Sequence, residues 1–272
     1  MAHRLFQEKH HASLYQKYRF TPPDEVKNII LQYLDKKKGQ PHTLAVDLGC
    51  GTGQNSRVLA PYFQEVVGID ISECQLEEAR MVPGYPNITY RKGSAEELPF
   101  PDGSVDLVTA ATAAHWFDRS RFLAEAIRVL KPRGCMALFD FVGFKSRLYY
   151  QNSGDSLNQL YTEVYQVLLP YTSSCIALTD GKLEELYCAI PFPDKERFEN
   201  IQIQLSISVK NLVGFFESMS MFQTYKKKDA QAAEDLLNNV QKRFLEEMGA
   251  TSPETEMEHK MEYYCVLASK PQ

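Results

Sequence analysis

The chain has 272 residues, 44% of them hydrophobic and 24% charged, with a formal net charge of −5. These values exclude a disordered or fibrous chain and leave room for one large domain with an elaborated cap. The acidic balance argues against a nucleic-acid partner, because a polyanion is bound by a basic face; the longest basic run, Lys226-Lys227-Lys228, reads as a solvated turn.

Between about residues 43 and 142 strand and helix patterns alternate. "TLAVDL" is a continuous apolar run, as for a strand buried on both faces. "GQNSRVLAPYF" has helical spacing at Val58, Leu59 and Phe63, and "EVVGID" is the next strand. Ser72 is a plausible N-cap for the helix "SECQLEEARMV". "NITYRKG" and "SVDLVTAAT" follow as the third and fourth strands. "RSRFLAEAIRVLKPRG" is an amphipathic helix with Phe122, Leu123, Ala126, Ile127 and Leu130 on one face, and Pro132 and Gly134 are expected to stop it. "CMALFDFV" is the fifth strand. Beyond it come a helix in "SLNQLYTEVYQVLL", turn-rich "CAIPFPDKERF", an alternating strand in "IQIQLSISV", helices at about 210–222 and 229–248, and a last strand in "EYYCVLAS".

This order predicts an α/β fold: a Rossmann-like, seven-stranded, mostly parallel sheet with helices on both faces, the last strand antiparallel, and a helical cap. A single domain over 1–272 is expected, with core segments at about 40–145 and 200–272, an N-terminal lid at about 1–25 and a cap insertion at about 146–199. Cys50, Cys74, Cys135, Cys175, Cys188 and Cys265 form no C-x-x-C and no zinc spacing with histidine, so reduced thiols and no metal are expected. The first 20 residues lack the apolar core of a secretory signal, and no apolar run approaches a membrane span. A cytoplasmic protein without a membrane partner, monomer or homodimer, is the expectation.

The informative stretch is "LAVDLGCGTGQNS", residues 44–56. Gly49, Gly51 and Gly53 give a backbone free to turn and to lie against a ligand, and the helix that follows points its N-terminus into the same crevice. Asp70 ends the second strand, where a carboxylate accepts both hydroxyl protons of a ribose. Strand, glycine loop, helix, strand and acid make a nucleoside-binding constellation. Two cofactor classes use it. A dinucleotide takes G-x-G-x-x-G spacing, whereas the spacing here is G-x-G-x-G with Asp47 just before it. A carboxylate repels a pyrophosphate and attracts the ammonium of an amino acid, directly or through water. That points to adenosine joined to an amino acid, S-adenosylmethionine.

"DLGCGTG", "GIDIS" and "GSAEELPF" together resemble the successive cofactor motifs of class I S-adenosylmethionine-dependent methyltransferases of the type 11 kind. "LPFPDGSVDLVTAATAAHWFD" and the N-terminal "YQKYRFTPP" resemble the trans-aconitate methyltransferase branch, and the likeness covers roughly residues 12 to 145. The resemblance implies that Gly49, Cys50 and Gly51 face the methionine part of the cofactor, Asp70 the ribose and Ile71 the adenine. Ser94 stands where the family often has aspartate, so adenine contact shifts toward the backbone of Ala95 and Glu96. The backbone near Ala111 is expected to accept from the cofactor ammonium, and Tyr18 and Arg19 to lie on a closing N-terminal segment, with Arg19 pairing a carboxylate of cofactor or substrate.

His115 and Trp116 follow the fourth strand at its ligand-facing end. A histidine there is a general base, a donor to an acceptor carboxylate, or a structural group; Trp116 walls the pocket or packs on the cap. Tyr149, Tyr150, Tyr161 and Tyr165 read as cap residues. The resemblance implies methyl transfer to a small carboxylate, giving S-adenosylhomocysteine and a methyl ester, with Arg19 and His115 as positioning groups. A carboxylate acceptor needs no base. The competing readings are a phenol, amine or protein acceptor, a scaffold that binds cofactor without catalysis, and a nicotinamide-dependent oxidoreductase. No N/D-P-P-Y-type segment follows the fourth strand, which counts against a nucleic-acid amine acceptor.

Overall fold

A computed structural model describes residues 5–174 and 181–272, so Cys175 lies outside the described residues. In chain order the main elements are α1 Lys9–Tyr18, α2 Asp24–Lys37, β1 Leu44–Leu48, α3 Gln54–Leu59, β2 Glu65–Asp70, α4 Glu73–Met81, β3 Ile88–Lys92, β4 Val105–Ala111 and α5 Arg119–Val129. They continue with β5 Leu130–Phe141, β6 Arg147–Tyr149, α6 Gly154–Leu168, α7 Glu184–Ala189, β7 Asp194–Ser208, α8 Val209–Ser218, α9 Ser220–Lys228, α10 Ala230–Met248 and β8 Glu256–Ser269. These fall into two compact units. The sheet unit comprises 20–141, the described part of 178–201, and 263–272; the helical unit comprises the described parts of 1–19 and 142–177, and 202–262.

In the sheet unit the strand order is β3-β2-β1-β4-β5, all parallel, and the C-terminal half of β8 runs antiparallel along β5 from Phe141↔Tyr263 to Cys135↔Ser269. β1 and β4 read as apolar runs because both faces are covered: Ala45, Val46, Leu48, Leu107 and Val108 are buried. Ser72 caps α4, accepting from the Gln75 amide at 3.3 Å, as its sequence position predicts. The reversal of order at β1 puts the β1–α3 and β4–α5 loops side by side at the carboxyl ends of the strands, the ligand end of such a sheet. This is the expected Rossmann-like architecture.

Three features differ from expectation. Among the described residues the sheet has eight strands, the addition being the three-residue β6, which pairs with the N-terminal half of β8 within the helical unit. Helix α5 stops at Val129 instead of running to Pro132, and β5 begins at Leu130. The reason is local: proline disfavours helical backbone at the residue before it, here Lys131. Lys226, Lys227 and Lys228 form the last turn of α9 and are not a free turn. Cations at a helix C-terminus oppose its negative end, and Lys226 and Lys227 also meet Glu217 and Glu8 at 3.6 Å and 2.7 Å.

The helical unit packs α1 along α8, with α6, α9 and α10 around them. Tyr161, Phe215, Phe216, Phe222 and Phe244 are fully buried in its core. A Cβ at Gly214 would overlap the Tyr18 ring, so only glycine lets α1 settle on α8 there.

Candidate functional site

The glycine loop is built as much by its own neighbours as by any ligand. Gly49 and Gly53 adopt φ of +61° and +83°, where side chains other than glycine's are strained. A Cβ on Gly49 would lie 2.6 Å from the Ala113 Cβ and 3.2 Å from the Phe117 ring. A Cβ on Gly53 would run into the hydroxyl of Tyr90. At these two positions it is therefore the protein's own side chains that leave no room. For Gly49 this corrects the expectation of a face held clear for ligand; its backbone atoms remain available.

Asp47 also departs from its expected role. Its carboxylate is wholly buried and accepts from the Asn55 amide at 2.7 Å, the Ser56 hydroxyl at 2.6 Å and the Thr109 hydroxyl at 3.0 Å. Both oxygens are thus spent on tying the first turn of α3 to β1 and β4, and none faces a cofactor ammonium. Burial, opposed by these three donors, pushes its pKa above the usual carboxylate range.

The second acid beside the loop, Asp70, is half-buried rather than enclosed. Its Oδ2 accepts from the Gly51 amide at 2.9 Å and its Oδ1 from the Ser72 amide at 2.8 Å. Burial raises its pKa while the backbone donors of Ser72, Gly51 and Ile71 lower it. Each oxygen retains lone-pair capacity for a hydroxyl. The brace takes up the Gly51 N–H. Next to Asp70, Ile71 is 46% exposed at the end of a strand whose other apolar residues are buried, an apolar platform beside a carboxylate. This pair fits the ribose and adenine of a nucleoside cofactor.

Along the neighbouring loop, the Ser94 hydroxyl binds the Glu96 carboxylate and accepts from the Glu96 amide at 3.1 Å. The other Glu96 oxygen accepts from the Asp118 amide at 2.8 Å. Ser94 is thus occupied locally, Ala95 is buried, and Ala111 is half-buried at the end of β4. Cys50 is buried, and burial raises its thiol pKa well above normal, so it is an inert packing group.

After β4, Thr112 takes a left-handed backbone at φ +50° while its amide donates to the Phe139 carbonyl at 2.8 Å. A short turn, Ala114–Trp116, then carries His115 across the end of β5. The His115 ring lies 4.9 Å from the Trp116 ring, and its Nδ1 lies 3.3 Å from Oδ2 of Asp140. Asp140 is the residue that sequence reasoning missed; the only signal was one acid inside the apolar run "ALFDFV".

Tyr18 and Arg19 belong to the helical unit. The Arg19 guanidinium stacks between the Tyr15 and Phe215 rings at 4.8 Å and 5.1 Å and donates to the Ser218 carbonyl at 3.3 Å. His11 Nε2 meets the same carbonyl at 2.9 Å. Among the described residues no group of three His, Cys, Asp or Glu side chains could hold a metal ion, and no helix is long and apolar enough to cross a membrane.

Parallel sheet, glycine loop, braced Asp70 and exposed Ile71 define a nucleoside-cofactor domain. Residues 46–138 match the methyltransferase domain family, and this part of the chain is a class I S-adenosylmethionine-dependent methyltransferase domain with S-adenosylmethionine as its cofactor. Over nearly its whole length the chain is similar to a Dictyostelium discoideum protein assigned as a methyltransferase: 28% identity, covering 94% of this chain and 92% of the relative. The fold is shared with a protein from Anaeromyxobacter dehalogenans assigned as a type II methyltransferase, at TM-score 0.73 and 22% identity, covering 94% of this chain and 100% of that one. It is also shared with Haemonchus contortus phosphoethanolamine N-methyltransferase 2 in complex with S-adenosyl-L-methionine, at TM-score 0.52 and 19% identity, covering 99% of this chain and 59% of that one. What these matches share is the class, and the trans-aconitate branch is not singled out among them.

Proposed function

We propose that the protein transfers a methyl group from S-adenosylmethionine to a small molecule, with a carboxylate oxygen as the acceptor. The observation that carries the cofactor half is the Asp70 carboxylate, braced by the Gly51 and Ser72 amides beside an exposed Ile71. The acceptor half rests on the resemblance of "AHWFD" and on His115 at the ligand end of β4. When bound, the cofactor supplies an electrophilic methyl carbon on a sulfonium. Asp70 takes the ribose hydroxyls and Ile71 the adenine face. The backbones of Gly49, Cys50 and Gly51 line the methionine moiety, that of Ala111 accepts from its ammonium, and those of Ala95 and Glu96 meet the adenine edge. His115 orients the acceptor, and Arg19 is a further positioning residue on the strength of the resemblance. In-line displacement by a carboxylate oxygen releases no proton at the transition state, so alignment in a dry pocket supplies most of the rate.

A second reading, a phenol or amine acceptor, is favoured by one observation: an imidazole beside a carboxylate, as His115 is beside Asp140, can also take a proton. Labelled transfer separates the two. The protein is incubated with methyl-tritiated S-adenosylmethionine and panels of small carboxylates, phenols and amines. Methyl esters release volatile label in mild base, whereas ethers and N-methyl products do not. Base-labile label confined to the carboxylates supports the proposal. Base-stable label alone contradicts it, and no transfer to any panel leaves a cofactor-binding scaffold.

A further inference from the structure

We propose that Asp140 is a positioning residue that fixes the His115 ring so that its Nε2 is presented as a hydrogen-bond donor to the carboxylate of the acceptor; this rests on the carboxylate reading above. Three observations carry it. First, Asp140 is an acid in a strand of otherwise buried apolar residues, from Met136 to Phe139, and is itself only 7% exposed. A buried carboxylate is costly unless paired. Among the described residues no lysine or arginine pairs with it, and His115 is the basic group it meets, at 3.3 Å from Nδ1. Packing gives no reason for an acid here, and such local breaks in consistency gather at functional positions.

Second, the other Asp140 oxygen is fixed. Oδ1 accepts from the Phe141 amide at 2.8 Å, which leaves Oδ2 turned toward the imidazole. Nδ1 of His115 is buried and stands at ion-pair distance without hydrogen-bond alignment. A small ring rotation closes that bond, as is usual when a site passes from its free to its loaded form. Third, Nε2 on the opposite edge of the ring has no hydrogen-bond partner among the described residues and is not among the buried unpartnered atoms. The ring is thus held from one side at the ligand end of β4 and β5 and open on the other. To donate from both edges the ring must carry a proton on both nitrogens. Asp140 would act through His115 and touch neither cofactor nor acceptor.

The test uses the full chain, labelled with nitrogen-15 and saturated with S-adenosylhomocysteine, with succinate and citrate as probes. Imidazole NMR reads which nitrogen of His115 carries a proton, and His115→Gln identifies its signal among the six histidines. The expected result is a proton on Nδ1 and, with succinate or citrate bound, a proton on Nε2 whose signal responds to the probe. In Asp140→Asn the ring should lose that fixed state and probe affinity should fall about tenfold, with S-adenosylhomocysteine affinity within twofold of the parent. His115→Gln, whose amide still donates, should keep probe affinity within about threefold, and His115→Ala should not. A His115 ring without a proton on Nδ1, or an Asp140→Asn spectrum identical to the parent, would overturn the role of Asp140. His115→Gln as damaging as His115→Ala would overturn the donor role. A proton on Nδ1 with no response to either probe would overturn the carboxylate reading alone and leave the orienting role of Asp140 supported.

Discussion

The two units solve the problem of buried polar groups in opposite ways. In the sheet unit two wholly buried acids, Asp47 and Asp106, are surrounded by donors. Asp106 accepts from the Thr43 amide and hydroxyl and the Leu44 amide, and meets Lys131 and Lys38 at 2.8 Å and 3.1 Å. Burial opposes those partners, but they hold its pKa well below the usual range. In the helical unit two histidines are buried among aromatic rings, and burial drives both His11 and His259 down to about 4. The sheet unit surrounds these acids with donors, whereas the helical unit buries its two histidines in the neutral form. That difference lets the sheet unit hold a carboxylate such as Asp70 ready for a ligand, and it makes the units respond differently to pH, substitution and cofactor.

The largest expected effect is on cofactor binding. Asp70→Ala should weaken S-adenosylmethionine binding by about 100-fold, or about 2.7 kcal/mol, because two hydroxyl hydrogen bonds to a charged group are lost and the brace across Gly51 goes with them. Calorimetric titration checks this, with circular dichroism showing that the variant stays folded.

Acid should then separate the units. His11 and His259 have pKa values of about 4 in the folded chain, below the ordinary 6.5. Above pH 6.5 they are neutral in both states and the stability is fully present. As the pH falls from 6.5 toward 4 the unfolded chain binds protons that the folded chain refuses, and stability drops, by roughly 2–3 kcal/mol for each histidine. The raised values of Asp47 and Asp70 act in the other direction over acid pH, and the depressed Asp106 holds until far lower pH. Hydrogen exchange should therefore show α1, α8 and β6 losing protection between pH 6.5 and 4 before β1 and β4 do. Simultaneous loss would remove the distinction.

Gly214→Ala should destabilise the helical unit by about 1–3 kcal/mol, since the new methyl collides with the Tyr18 ring and α1 must move off α8. Urea unfolding measures it; an unchanged midpoint would mean that this contact is loose. The smallest effect is expected at Ser94. Its hydroxyl is engaged by Glu96, so Ser94→Ala should change S-adenosylmethionine affinity by less than about threefold, in contrast to Asp70→Ala. A loss as large as that of Asp70→Ala would make Ser94 a direct cofactor ligand.

Much of the sheet unit was legible because its signals are local. A doubly buried strand must be apolar, Ser72 must cap a helix, and Asp70 must end the second strand. The roles of Asp47 and Asp70 were not separable in the sequence. Both are acids beside a glycine loop, and only the positions of Asn55, Ser56 and Thr109 show that one is enclosed and the other open. Asp140 was invisible for a related reason: it meets His115 across two strands, a pairing set by the register Ala111↔Phe139 and not by spacing along the chain. β6 escaped because three residues carry no periodicity, and the reach of α5 was overread because its apolar stripe includes Leu130 while Pro132 had already ended the helix.

The most direct measurement is calorimetric titration of the folded protein with S-adenosylmethionine and, in parallel, NADH, repeated on Asp70→Ala. Binding of S-adenosylmethionine alone, abolished or weakened about 100-fold in the variant, is the expected result and would fix the braced carboxylate as the cofactor's anchor. Binding of NADH in its place, or S-adenosylmethionine affinity unchanged in Asp70→Ala, would contradict the assignment of the site.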